Sequence, residues 1–142
     1  MIVVDVNLLL YAVISGFPQH PAAREWWEEQ LNGAGDVGLS SPSVFGFLRI
    51  ATNPRVLARP MSIEEAIGHV RTWLDRPNVH FLVPRARHLD LAFGLLTGVG
   101  TAGNLTTDAQ LAAYALEQDA EMHSNDTDFA RFAGLRWVSP LA

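Results

Sequence analysis

Four aspartates occupy positions where a fold could bring their carboxylates together. Asp5 follows the apolar run that begins the chain, and Asp126 and Asp128 follow a weaker strand pattern at residues 121–125. Asp108 lies in the first turn of a predicted helix, just after a glycine-rich loop. Oxygen ligands alone select Mg²⁺ or Mn²⁺ rather than zinc, so a cluster of these side chains would be a site for such an ion.

The charges near these aspartates favour that interpretation. Two unit charges about 4 Å apart repel by about 4 kcal/mol at an effective dielectric constant of about 20. No basic residue lies within four residues of Asp5 or Asp108, and Arg131 is the one base near Asp126 and Asp128. If the fold brings the four acids together, a cation is needed to offset their repulsion.

Each aspartate also has a purely structural explanation. Asp5 could cap the helix that follows it, and Asp108 could interact with a helix dipole, which is worth about 0.3–1 kcal/mol. Asp126-Thr-Asp128 could form a plain turn. For any single aspartate, the residues alone leave these alternatives open.

The other reactive side chains show no recognisable pattern. Gly98–Gly103 matches neither a phosphate-binding loop nor a dinucleotide fingerprint, and no serine lies in a nucleophile elbow. Trp26 and Trp27 lie in a predicted helix and are expected to anchor the core or an interface rather than to stack on bases. The histidines lack metal-ligand spacing, so surface or packing roles are expected for all five, namely His20, His69, His80, His88 and His123.

Composition restricts the class of protein. The length of 142 residues favours one domain, residues 1–142, and 49% hydrophobic against 18% charged residues indicates a packed core. The chain has no cysteine, which excludes disulfides and thiolate metal sites. The net charge of −5 disfavours a DNA-coating protein or a polybasic membrane surface. No signal peptide is recognised, and the longest apolar run, Leu8–Ile14, is too short to cross a membrane. A cytoplasmic protein is therefore expected.

Strand and helix patterns alternate along the chain. Apolar runs predict strands at residues 1–4, 37–40, 79–83, 121–125 and 135–138. Predicted helices lie between them, with Ser41 capping one, Ser62 opening a second through a capping box, and Thr106 or Thr107 capping a third. The alternation predicts an α/β fold with a mostly parallel sheet of about five strands and helices on both faces.

The predicted sheet determines which aspartates can meet. The carboxyl ends of parallel strands lie at one edge, where open α/β sheets bind their ligands. Asp5, Asp126 and Asp128 are therefore expected to lie close together at that edge. Asp108 would join them only if its helix begins there, which the order of the elements does not require.

Four stretches of the chain resemble the motifs of the PIN domain, in the same order. More narrowly, they are similar to VapC toxins of bacterial toxin–antitoxin pairs, and the resemblance extends over nearly the whole chain. The stretches are Asp5–Asn7, Phe47–Val56, Gly103–Ala112 and Ser124–Phe129.

The resemblance implies a three-layer α/β/α PIN-like fold and a Mg²⁺-dependent endoribonuclease, with Mn²⁺ as an alternative ion. It implies metal binding by Asp5, Asp108 and Asp126, with Asp128 completing the catalytic pocket. The start of the Asp108 helix would then lie at the site. The resemblance also implies an RNA substrate, a cognate VapB-type antitoxin and a homodimer.

One position departs from the family pattern. Many PIN-domain toxins carry a glutamate directly before the Phe-Leu-Arg stretch, where this chain has Gly46, and no acid occurs between Asp36 and Glu64. The departure predicts a site that holds one metal ion well and a second poorly. It also predicts that Gly46→Glu, provided that its side chain fits, tightens metal binding and raises activity.

Two other classes of protein share parts of the pattern. A PIN fold that binds RNA or a partner without cutting is suggested by Gly46. A phosphotransferase or response-regulator-like domain that uses Asp5 is disfavoured, because no second acid follows two residues later and the chain has no lysine.

Overall fold

The computed structural model describes residues 1–142 and contains one five-stranded sheet. The strands are β1 (Ile2–Val4), β2 (Val37–Leu39), β3 (Val79–Phe81), β4 (Glu121–His123) and β5 (Trp137–Val138). Their order across the sheet is β3-β2-β1-β4-β5, and every neighbouring pair is parallel. The prediction of a parallel five-stranded sheet is confirmed.

Six α-helices connect the strands. They are α1 (Val6–Val13), α2 (His20–Asn32), α3 (Ser41–Ala51), α4 (Ile63–Leu74), α5 (His88–Val99) and α6 (Thr106–Glu117). Two short 3₁₀ helices, Gly103–Leu105 and Thr127–Arg131, precede α6 and follow β4. None of the helices combines the length and the apolar character that a membrane span requires.

The sheet separates two hydrophobic cores. Neighbouring residues of a strand point to opposite faces, and the two fully buried valines of β1 accordingly join different cores. Val4 packs with residues of α1, α2, α3 and α4, whereas Val3 packs with residues of α5 and α6. This arrangement is the three-layer α/β/α fold that the family resemblance implied. Trp26 and Trp27 are buried in the first core, as expected.

The strand order creates a crevice beside β1. The chain proceeds from β1 to β2 and β3 on one side, and β4 and β5 add to the other side. The order therefore reverses between β1 and β4, and α/β sheets bind ligands at the carboxyl ends of the strands at such a switch point. Val4 pairs with His123 there, and the backbone N–H of Asp5 donates to the carbonyl of His123 at 3.0 Å. The residues that follow β1 and β4 are thus held side by side.

Two predicted helix caps are wrong in detail. Ser40, not Ser41, caps α3, and its Oγ accepts a hydrogen bond from the backbone N–H of Ser43 at 3.3 Å. Neither Thr106 nor Thr107 caps α6, because the 3₁₀ helix Gly103–Leu105 runs directly into it. The Thr106 hydroxyl instead donates backwards to the carbonyl of Gly103 at 3.0 Å. Ser62 does cap α4, as predicted, since its Oγ accepts from the N–H of Glu65 at 3.1 Å.

Candidate metal centre

Asp5 lies at the carboxyl end of β1, where the strand gives way to α1. Its side chain is buried, and both carboxylate oxygens already accept hydrogen bonds. One oxygen accepts from the N–H of Val6 and the other from the hydroxyl of Ser124, each at 2.7 Å. Asp5 therefore does cap α1, as the structural alternative supposed. A carboxylate oxygen has a second lone pair, so capping leaves Asp5 able to face a cation.

Ser124 joins the two strand ends. Its hydroxyl oxygen accepts from the backbone N–H of Asp126 at 2.9 Å and from the side-chain amide of Asn7 at 3.3 Å. Asn7 in turn accepts from the N–H of Asn125. These bonds fix the loop after β4 against the start of α1. Sequence reasoning did not single out Ser124, although its position directly after β4 and opposite Asp5 could have indicated it.

Asp126 and Asp128 lie in a tight turn after β4. The Asp126 carboxylate accepts from the N–H of Asp128 at 2.9 Å and caps the 3₁₀ helix Thr127–Arg131. The structural explanation that Asp126-Thr-Asp128 forms a turn is therefore also correct. The turn directs both carboxylates towards the start of α6.

The structure brings Asp108 close to Asp126 and Asp128 at this edge of the sheet. One carboxylate oxygen from each of Asp108, Asp126 and Asp128 lies within 4.8 Å of the others, and all three side chains are partly exposed. The buried Asp5 lies outside this closest group. The start of α6 does reach the site, and it is anchored there by the buried side chains of Leu105 in the preceding 3₁₀ helix and of Ala109 and Leu111 in α6. The metal roles of these aspartates remain predictions.

The four aspartates have no positive partner. None of them takes part in any of the five ion pairs of the protein. Burial, followed by the charges of the other three aspartates, raises the pKa of Asp108 to about 7. Burial also raises the pKa of Asp5, with a smaller contribution from Asp126, and outweighs the hydrogen bonds from Ser124 and Val6. The site thus disfavours its own full ionisation, which a divalent cation bound to these oxygens would reverse.

The raised pKa of Asp108 predicts how the metal-free protein responds to pH. Its pKa is about 4 in the unfolded chain and about 7 in the folded one. Between these values the folded state binds more protons, so the contribution of Asp108 to stability is fully present below about pH 4 and is lost as the pH rises to about 7. Urea unfolding in EDTA at pH 5 and 7.5 should show this fall in the wild type and a smaller fall in Asp108→Asn. Equal pH dependence of the two proteins would contradict the assignment.

Gly46 lies on the buried side of α3, against the start of α1. A β-carbon built at this glycine would lie 2.7 Å from Cγ2 of Val6, well inside van der Waals contact. The condition attached to Gly46→Glu, that the side chain fits, is therefore not met. Val6, the neighbour of Asp5, occupies the space, and the glycine lets α1 and α3 approach closely. The departure from the family pattern thus has a packing explanation.

The histidines have packing and pairing roles, as expected. None belongs to the aspartate cluster. His80 pairs with Asp36 and His88 with Glu117, and the ring of His123 stacks on Trp26. His20 bonds to a backbone carbonyl, and His69 packs against aromatic rings.

The chain belongs to the PIN-domain family. The family model for the PIN domain matches residues 2–135, almost the whole chain. The chain is 60% identical to ribonuclease VapC33 of Mycobacterium tuberculosis strain H37Rv, over 99% of each protein. It is 42% identical to ribonuclease VapC37 of the same strain, over 100% of this chain and 99% of that protein.

Solved structures with low sequence identity share the fold. One is VapBC2 from Rickettsia felis bound to a DNA fragment from its promoter, with a TM-score of 0.71, 17% identity, and coverage of 97% of this chain and 98% of that chain. Another is Mycobacterium tuberculosis VapC20, described as a sarcin–ricin-loop-cleaving toxin, with a TM-score of 0.69, 17% identity, and coverage of 96% and 99%. At these identities the similarity shows the fold alone.

Proposed function

We propose that the chain is a cytoplasmic, Mg²⁺-dependent endoribonuclease and the toxin of a type II toxin–antitoxin pair. The observation that carries this proposal is the group of Asp108, Asp126 and Asp128 at the switch point, which has the buried Asp5 beside it and no positive partner. Burial and the neighbouring carboxylates raise the pKa of Asp108 and of Asp5. The ribonuclease names of relatives that match the chain end to end support the same reaction.

The metal would be held by Asp5, Asp108 and Asp126, with Asp128 completing the acidic pocket. The all-oxygen donor set fits Mg²⁺ and Mn²⁺. When bound, the ion lowers the pKa of water and stabilises negative charge on the phosphodiester. The protein supplies the positions: Ser124 fixes the Asp5 carboxylate, and the Asp126–Asp128 turn and the first turn of α6 face each other across the site.

A cognate VapB-type antitoxin is the expected partner. Solved structures that share this fold include VapBC2 from Rickettsia felis and VapBC-1 from nontypeable Haemophilus influenzae. The charge of the site suggests how inhibition could work. An arginine of the antitoxin inserted among the carboxylates would form bidentate, charge-assisted hydrogen bonds and would take the place of the cation.

A homodimer is also part of the proposal. Large apolar side chains are exposed on β3, just after it and on α5, namely Phe81, Val83, Leu89 and Phe93. Exposed apolar patches often mark protein interfaces, and β3 is an edge strand of the sheet, so we infer that a second copy covers these side chains. Sedimentation of the purified chain tests this part, and a monomer at all accessible concentrations would contradict it.

Cleavage of RNA by the purified protein tests the main proposal. The wild type should cut single-stranded RNA with Mg²⁺ or Mn²⁺, and EDTA should stop the reaction. Induced expression should arrest bacterial growth, and co-expression of the antitoxin should restore it. Asp90→Asn is a matched control, because Asp90 occupies the same place in the first turn of α5 that Asp108 occupies in α6. Soluble protein that neither cuts RNA nor arrests growth would contradict the proposal.

A second candidate function is a PIN fold that binds RNA without cutting it. It is favoured by Gly46, because α3 supplies no carboxylate at the position where many family members carry one. RNA binding that persists while cleavage is absent, even with Mn²⁺, would select this alternative.

A further inference from the structure

A cleft between α3 and α6 opens beside the aspartate cluster and has no role in holding the metal. Its volume is about 470 Å³, within the range of about 300–1,000 Å³ that is typical of small-ligand sites. Phe45 and Arg49 of α3 line one wall, and Thr107 and Gln110 of α6 line the other. A space of this size accommodates one nucleotide.

Two residues that line the cleft place it next to the aspartates. Thr107 directly precedes Asp108, and Gly46, which also lines the cleft, contacts Val6, the neighbour of Asp5. A polymer that crosses the aspartate cluster can therefore continue into the cleft without a long gap. The cleft is adjacent to the metal centre and shares none of its four aspartates.

The chemistry of the cleft suits a nucleotide. Arg49 is exposed and forms neither an ion pair nor a side-chain hydrogen bond, and no acid lines the cleft. A guanidinium without a partner in the protein offers an attachment point for a phosphate, to which arginine binds bidentately. Without Arg49, the phosphates of an RNA that approaches this edge would be repelled by the four aspartates.

Phe45 adds a surface for stacking. Its side chain is 64% exposed and lies one helical turn before Arg49, so the two residues share one face of α3. Unstacked bases of single-stranded RNA are bound on aromatic side chains, while arginines contact the neighbouring phosphates. Gln110 on the opposite wall offers both a donor and an acceptor to the edge of a base.

We propose that this cleft binds one nucleotide of single-stranded RNA next to the phosphate that is cut, with Phe45 stacking on the base and Arg49 holding a phosphate. The proposal rests on the ribonuclease function proposed above and assigns residues to substrate binding. An acidic segment of a protein partner would also pair with Arg49, but the exposed aromatic ring beside it favours RNA.

Binding measurements in the absence of cleavage test the cleft directly. The probe is a fluorescein-labelled, single-stranded RNA of mixed sequence, and its anisotropy is measured with Asp108→Asn protein in EDTA. Adding Arg49→Ala should weaken binding about 10-fold and reduce the slope of log K against log salt by about 0.7, the value for one lost phosphate contact on a single strand. Adding Phe45→Ala should weaken binding about 5- to 100-fold without changing the salt slope, and Phe45→Tyr should restore it.

Arg71→Ala is the matched control, because Arg71 is an exposed, unpaired arginine in the last turn of α4 and lies outside the cleft. The inference is overturned if Arg49→Ala and Arg71→Ala bind RNA equally well, or if Arg49→Ala impairs only binding of the antitoxin. Arg49-dependent RNA binding by a wild type that never cuts RNA would support the cleft and contradict the ribonuclease proposal. Normal cleavage by the wild type, with a KM that Arg49→Ala leaves unchanged, would support the ribonuclease proposal and contradict the cleft.

Discussion

Asp108→Asn is expected to abolish RNA cleavage while leaving the metal-free protein at least as stable as the wild type. The substitution removes a carboxylate whose ionised form is disfavoured by burial and by three neighbouring negative charges. Most substitutions of a partly buried polar residue destabilise a protein, so this outcome would distinguish a repulsive metal site from an ordinary helix start. Thermal unfolding in EDTA at pH 7.5 measures the stability.

Asp90→Asn separates the two explanations of Asp108. Both aspartates lie in the first turn of a helix, but Asp90 is exposed and does not belong to the group of clustered carboxylates. If Asp108 served only the helix dipole, both variants should lose about 0.3–1 kcal/mol of stability. We expect that loss for Asp90→Asn alone.

The same variants also test whether the aspartates bind Mg²⁺. At a Mg²⁺ concentration of about 100 times the dissociation constant, binding to the folded state adds about 2.7 kcal/mol of stability. The wild type and Asp90→Asn should gain this amount, whereas Asp5→Asn and Asp108→Asn should gain less. Equal stabilisation of all four proteins by Mg²⁺ would refute the metal site.

Gly46→Ala is expected to destabilise the protein, although alanine is normally the better helix former by about 1 kcal/mol. The added methyl group would lie 2.7 Å from Cγ2 of Val6, and the β-branched valine has few alternative rotamers in a helix. Overpacking of this kind costs about 1–3 kcal/mol. Gly46→Glu should weaken metal binding rather than tighten it, because Val6 and the adjacent Asp5 would have to move.

Gly68→Ala provides the control for Gly46→Ala. Gly68 lies in the interior of α4, and a β-carbon there meets nothing within 4 Å. That substitution should stabilise the protein by about 0.4–1 kcal/mol. Combining Gly46→Ala with Val6→Ala should relieve the clash, and a double-mutant cycle by urea unfolding measures the coupling. Independent effects of the two substitutions would show that the close contact does not determine the stability at Gly46.

Local patterns were sufficient to predict the sheet and most of its helices. Strand β1 is buried on both faces, and its uninterrupted valines indicated this directly. The meeting of Asp5 with Asp126 follows from parallel strands alone. The approach of Asp108 does not, because it depends on the 3₁₀ helix that leads into α6, and only the family resemblance predicted it.

Contacts between distant parts of the chain were not predictable from the sequence. The clash at Gly46 depends on a valine in another helix, and the bridge by Ser124 depends on the pairing of β1 with β4. The structural explanations for Asp5 and Asp126 are correct and are compatible with the predicted metal roles. Each side chain makes a local hydrogen bond and still lies at the edge of the sheet where the four aspartates come together.

The bond between Asp5 and Ser124 spans 119 residues of sequence. A growing polypeptide therefore exposes Asp5 to the translation machinery long before its partners exist. The four aspartates can assemble only after β4 has emerged from the ribosomal exit tunnel and has paired with the first strand. While the residues between β1 and β4 are being synthesised, the nascent chain carries an incomplete centre, and the proposed nuclease cannot act before β4 has paired with β1.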